Sequence, residues 1–204
     1  MASIEHVAVE AADPTAAESF YSTVFGLDSE VRPRLSEAPT TGFRGFTLSL
    51  VVPQPATVNG FINAALDAGA TTLKPAAKSL WGYGGAVRAP DGTICTVASS
   101  TKKDTGPASR EIDEIVLQLG VADVAASKRF YVERGFAVAK SYGRKYVQFA
   151  EPASPIKLAL YKHRDLAKVA GVSPDGSGSH RLVLGSDAGP FTDPDGFTWE
   201  ATAP

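Results

Sequence analysis

The sequence predicts an α+β protein laid out as a tandem duplication, with curved, mixed, mainly antiparallel sheets. Two observations carry this. First, three landmarks recur in the same order: Ile4-Glu5-His6-Val7-Ala8-Val9 returns as Ile112-Asp113-Glu114-Ile115-Val116-Leu117, Phe20-Tyr21 as Phe130-Tyr131, and Pro90-Asp91-Gly92 as Pro194-Asp195-Gly196, at offsets of 108, 110 and 104 residues. Second, each half shows several short alternating strands but few helical stretches, the pattern of helices laid on one side of a sheet. A polar stretch with Gly106-Pro107 inside it separates the halves. The expected division is an N-terminal domain over 1–99, a linker over 100–110 and a C-terminal domain over 111–204.

Composition sets outer limits. A chain of 204 residues buries roughly 70% of its unfolded surface, enough for a core without staples. With 44% apolar residues, 21% charged residues and a formal net charge of −2, it reads as an ordinary soluble globular protein. Lysine and arginine are scattered, which argues against nucleic acid or an anionic membrane as partner. A single cysteine, Cys95, excludes an internal disulfide and suits a reducing compartment. The chain enters an alternating strand without a basic leader and has no run of 18 apolar residues, so the expected location is cytoplasmic.

Each element follows from local signals. Ile4 to Glu10 alternates as a strand; Asp13 then caps a helix with Pro14 at its first position, and Gly26 stops it. Phe20 with Val24 and Tyr21 with Phe25 form the helix's apolar stripe. Strands are expected over Asp28–Arg34 and Gly45–Val52. A second helix runs from Pro55 to Gly69 on Val58, Ile62, Ala65 and Leu66, and strands follow over Thr71–Pro75, Gly84–Ala89 and Thr93–Ser99. The second half repeats the opening with strand Ile112–Leu119, cap Asp123, helix Val124–Glu133 and stop Gly135. A hairpin over Ala137–Phe149, a strand over Ile156–Lys162, a short helix over Arg164–Ala170 and a strand over Ser179–Leu184 complete it. After Asp187 there is no room for a further helix, so one side of the last strands is expected to be uncovered, ready to meet the other half or a second copy in a homodimer.

Strand, helix with Phe-Tyr, glycine stop and three strands, closing on Asp193-Pro194-Asp195-Gly196-Phe197-Thr198-Trp199-Glu200, resembles the vicinal oxygen chelate superfamily of glyoxalase I, extradiol dioxygenases and bleomycin-resistance proteins. The resemblance covers essentially the whole chain and implies four βαβββ units, one abbreviated in each half, whose sheets curl around a concave pocket. It also implies a divalent metal (manganese, iron, nickel, cobalt or zinc) on ligands from first and last strands. The matching positions in the second half hold Glu114, His180 and Glu200. In the first half they hold His6, Phe46 and Thr96, which form no donor set, so His6 is expected to lie at a pseudo-symmetric position without partners.

A histidine and two carboxylates are the borderline and hard donors such ions take. Against this stands the plain reading that each is a solvated or strand-edge residue. Other pocket candidates are His6, Trp81, Tyr83, Tyr161 and Trp199. No phosphate loop, dinucleotide fingerprint or nucleophile elbow is present. Two function classes remain: a metal-dependent lyase, isomerase or oxygenase on a small oxygen-rich molecule, or a metal-free protein that binds and sequesters a small molecule. No catalytic residue is assigned.

Overall fold

A computed structural model describes residues 1–202. β1 (Ile4–Ala11) leads into α1 (Pro14–Phe20), which widens into a π-type turn over Tyr21–Phe25. Asp13 accepts the Ala16 N–H at 2.9 Å, and Gly26 ends the helix at φ +71°, a conformation that costs glycine little. Then come β2 (Arg34–Leu35), β3 (Thr40–Gly42), β4 (Phe46–Val51), α2 (Pro55–Asp67), β5 (Thr71–Ser79), β6 (Gly82–Arg88) and β7 (Ile94–Ser99). β8 (Glu114–Val121), α3 (Val124–Glu133), β9 (Val138–Tyr142), β10 (Tyr146–Phe149), β11 (Ile156–Lys162) and α4 (His163–Ala170) follow. β12 (Gly176–Gly178), β13 (Leu182–Ser186), β14 (Phe191–Thr192) and β15 (Thr198–Ala201) end the described chain.

The main sheet runs β14-β15-β13-β1-β11-β8-β4-β7-β6-β5, with β10 and β9 added beside β11 and β2 beside β1. Most neighbours are antiparallel; β4–β7, β8–β11, β13–β15 and β1–β2 are parallel. Two stretches share one plan: β4-α2-β5-β6-β7 and β8-α3-β9-β10-β11 each place the last strand beside the first, and they join through the antiparallel pair β4–β8. β1 pairs with β13, so the sheet is continuous between residues 4–99 and 114–201. Residues 100–113 contain no strand and are pinned to the start of α2. Gln54 accepts from the Thr105 and Gly106 N–H groups, and Asp104 accepts the Ala56 N–H.

Apolar side chains from α1 and α2 (Phe20, Val58, Phe61, Ile62) and the inward row of β4 and β8 (Leu48, Leu50, Leu117, Leu119) form the core. Each fully buried large side chain there contributes about 2 kcal/mol. Phe130 is only half-buried, with the Arg134 guanidinium 3.4 Å from its ring centroid.

The repeated landmarks meet in space. Tyr21 donates to Asp91 at 3.0 Å and Tyr131 to Asp193 at 2.5 Å, so each Phe-Tyr helix is tied to a Pro-Asp-Gly turn. Burial raises the Asp193 pKa, although Tyr131 and two backbone N–H groups oppose the rise.

Two expectations are corrected, and a third holds on one face. Asp28–Arg34 is not a strand: residues 28–30 turn, Val31 makes a single bridge to Val7, and Pro33, which has no N–H, precedes the two-residue β2. His180 lies outside the strand assigned to it, because Arg181 adopts φ +56° and Ser179 N–H bonds the Pro39 carbonyl, so pairing starts at Leu182. The last strands are covered on one face only: Thr198 is exposed and Val183 and Glu200 are half-buried on the other. No helix follows β13, but Phe191 stacks on Trp199 at 5.1 Å, Tyr131 and Phe136 pack beside it, and Trp199 is 1% exposed.

Candidate functional site

All three ion pairs among the described residues fall at two stations of the main sheet: His6–Glu200 and Arg34–Glu200 at one, Lys157–Glu114 at the other.

The first station is a row across three strands. The register aligns His6 of β1 with Gly185 of β13, and Gly185 with Glu200 of β15. Residues aligned in this way share a face, so His6 and Glu200 point the same way from strands about 10 Å apart. They meet because the residue between them is glycine. A Cβ on Gly185 would sit 2.2 Å from His6 Cε1, inside the ring's own space. His6 is 5% exposed, and its Nε2 donates to Glu200 Oε1 at 3.1 Å. Its Nδ1 is buried without a partner. Arg34 takes both oxygens of Glu200, Nη1 to Oε2 at 2.8 Å and Nη2 to Oε1. The guanidinium holds the Glu200 carboxyl below its ordinary pKa, with His6 adding to the effect. Burial lowers the His6 pKa, more than the Glu200 contact raises it.

The second station lies on the polar face of β10, β11, β8, β4 and β7. Register puts Thr47 beside Gln118, Ser49 beside Val116 and Thr96, Gln118 beside Ala159, and Tyr161 beside Tyr146. One face therefore collects Thr47, Ser49, Thr96, Gln118, Gln148, Tyr146 and Tyr161. Four of these bond to one another: Thr47 donates to Gln118 at 2.8 Å and Tyr146 to Gln148 at 3.0 Å. Burial, with Tyr161, Tyr142 and Glu114 nearby, pushes the Tyr146 phenol up, so it remains a donor. Leu166, Ala167 and Ala170 of α4 cover one end of this face beside Tyr161. At the other end, where β8 and β11 begin, Lys157 Nζ donates to Glu114 Oε1 at 2.5 Å. There an open cleft of about 450 Å³ is lined by Glu30, Arg110, Asp113, Glu114 and Lys157, with Phe25, Leu27, Ile112 and Ile115 as apolar wall.

The structure does not bring Glu114, His180 and Glu200 together. Four strand spacings separate β8 from β15, about 19 Å at the ordinary spacing. The His180 ring stacks on Phe197 at 4.0 Å, three residues and about 10 Å along the strand from Glu200. Its two nitrogens face the carbonyl oxygens of Arg44 (2.7 Å) and Asp195 (3.1 Å), which are hydrogen-bonding positions rather than coordinating ones. No group of three metal-ligating side chains occurs among the described residues. These donors do not fit a divalent ion as a set. With Arg34 on both carboxylate oxygens, the His6–Glu200 pair fits no better.

The remaining pocket candidates separate. Tyr161 lies on the polar face, against Tyr146 at 4.9 Å. Trp81 is 85% exposed at the β5–β6 turn and is not among the residues lining the cleft. Tyr83 packs against the core and donates to Asn59 at 2.9 Å. Trp199 is core. His6, expected without partners, has Glu200. Cys95 is buried, and burial pushes its thiol pKa far up, which leaves it unreactive. Sequence reasoning missed Arg34 and Lys157; their only signal is the charge, since the contacts depend on strands distant in sequence.

The topology and register define a sheet protein whose fold can be compared with solved structures. No protein-family profile and no curated protein matches the sequence. Among solved structures, glyoxalase I from Zea mays aligns with a TM-score of 0.61 over 98% of this chain and 92% of its own, at 14% identity. A putative dioxygenase from Bacillus subtilis subsp. subtilis str. 168 aligns at 0.53 over 90% and 69%, at 12% identity. What the chain shares with both is the fold. Among the described residues, no helix is long and apolar enough to cross a membrane.

Proposed function

We propose that this chain is a small-molecule binding protein that takes a polar, charge-bearing ligand in the cleft at Glu114 and Lys157, without a divalent ion held by Glu114, His180 and Glu200. The carrying observation is the cleft itself. Its volume of about 450 Å³ falls in the range of small-molecule pockets, and its wall pairs an apolar patch with both signs of charge. Lys157 and Glu114 are each about one third exposed, so a ligand carboxylate or ammonium can take over one partner of the pair without leaving a buried charge behind.

The test is an amide-shift titration of the isotope-labelled chain in EDTA with a panel of small carboxylic acids, amines and amino acids. Saturable shifts confined to residues 25–30, 112–115 and 152–157, lost in Lys157→Glu, are expected. Binding that appears only after a divalent ion is added and disappears in Glu200→Gln would instead establish the metalloenzyme reading.

A further inference from the structure

The row at His6, Gly185 and Glu200 has the spacing of a cation site and a protein group in the cation's place. A nitrogen and an oxygen that share an ion at 2.0–2.2 Å stand about 3 Å apart. His6 Nε2 and Glu200 Oε1 are 3.1 Å apart. That is also an ordinary hydrogen-bond distance, so the spacing alone decides nothing. The third participant decides it. Arg34 reaches from β2 and closes its fork on both carboxylate oxygens, the charge-assisted bidentate geometry that a planar guanidinium forms and an ammonium does not. The Glu200 side chain is 30% exposed and that of Arg34 43%, so a metal ion in solution has access to the station and meets a cation already seated there. Gly185 supplies the room for the imidazole but no donor of its own.

We infer that Arg34 is the resident cation of the His6–Glu200 station: its guanidinium neutralises the carboxylate where a divalent ion would otherwise sit, and so closes a latent metal site. No residue of this station lines the cleft, so the inference stands apart from the ligand-binding reading. The chemistry follows from the donors. With Arg34 removed, one imidazole and one carboxylate, completed by water, suit cobalt(II), nickel(II) or zinc(II) rather than copper(I) or calcium. The imidazole is already aimed at the carboxylate, and to ligate through Nε2 it must give up that hydrogen bond and carry its proton on Nδ1, which is buried without a partner.

The experiment is titration with cobalt(II) alone, followed by its visible absorption and by calorimetry, on wild type, Arg34→Ala and Arg34→Ala/Glu200→Gln. Wild type is expected to show no saturable binding dependent on Glu200. Arg34→Ala should take up one equivalent at least about tenfold more tightly, equivalent to 1.4 kcal/mol or more, with an absorption band reporting nitrogen ligation. The double variant should lose it. If Arg34→Ala folds poorly, Arg34→Met, which keeps the aliphatic stem, replaces it in the series. Stoichiometric binding by wild type that Glu200→Gln abolishes would overturn the inference. So would no gain in a folded Arg34 variant, or a gain that survives Glu200→Gln. Because the probe is the metal alone, failure here leaves the small-molecule titration of the cleft unaffected.

Discussion

Glu200 and Glu114 are both carboxylates on strands of one sheet, each neutralised by a basic side chain from an adjoining segment, yet their surroundings differ. Glu200 is held by a two-point guanidinium fork and by a histidine that is 5% exposed, across a glycine that makes the contact sterically feasible. Glu114 is held by one ammonium and faces an open cleft. The difference lies in how many contacts would have to break before a ligand could take hold. At Glu200 three hydrogen bonds and a buried ring must yield together. At Glu114 one exchangeable contact must yield, the condition under which an ion pair is worth little to folding and remains free for recognition.

The largest expected way to break this comparison is Gly185→Ala. The new methyl overlaps a buried ring that cannot swing aside without abandoning Glu200, so urea denaturation should show a loss of about 2–3 kcal/mol, as for overpacked cores. A methyl tolerated at no cost would mean that His6 is not fixed. Next comes a pair of double-mutant cycles. The Arg34–Glu200 coupling should come to about 1 kcal/mol and the Lys157–Glu114 coupling to about 0.5 kcal/mol or less, both being partly solvated. Equal couplings would erase the distinction drawn between the stations.

Two pH effects sharpen the comparison further. Burial lowers the His6 pKa from 6.5, so the unfolded chain binds its proton more readily; stability is fully present above pH 6.5 and falls as pH drops toward the folded value. His6→Gln should flatten that part of the stability–pH curve. Glu200, with its pKa lowered by Arg34 from 4.5, adds stability that is present above that value and is lost as pH falls through the folded one. The smallest effect belongs to salt. Raising ionic strength should weaken both double-mutant couplings by a few tenths of a kcal/mol, since both pairs are similarly exposed to solvent.

Much of the architecture was legible because its causes are local. Asp13 and Asp123 cap helices through their own next turns, and Gly26 and Gly135 stop them with positive φ. The period-two runs Ile156–Lys162 and Phe46–Val51 are strands wherever they are placed. Phe-Tyr and Pro-Asp-Gly recur in the sequence, but the Tyr–Asp bonds that join these landmarks emerge only in three dimensions. The candidate site was less legible. Glu114 was found, but its partner Lys157 was not; Glu200 was found, but with His180 and a metal in place of His6 and Arg34.

What the sequence determined by itself is the alphabet of elements and the faces they present, since caps, turns and alternation act within a few residues. What only the tertiary structure decided is adjacency. β1 pairs with β13 about 180 residues later, and that register together with the β13–β15 register sets His6, Gly185 and Glu200 in one row. Four strand spacings keep Glu114 away from Glu200. A carboxylate's partner is whichever group the packed sheet delivers within about 3 Å, and that delivery depends on long-range strand order, which no local pattern encodes.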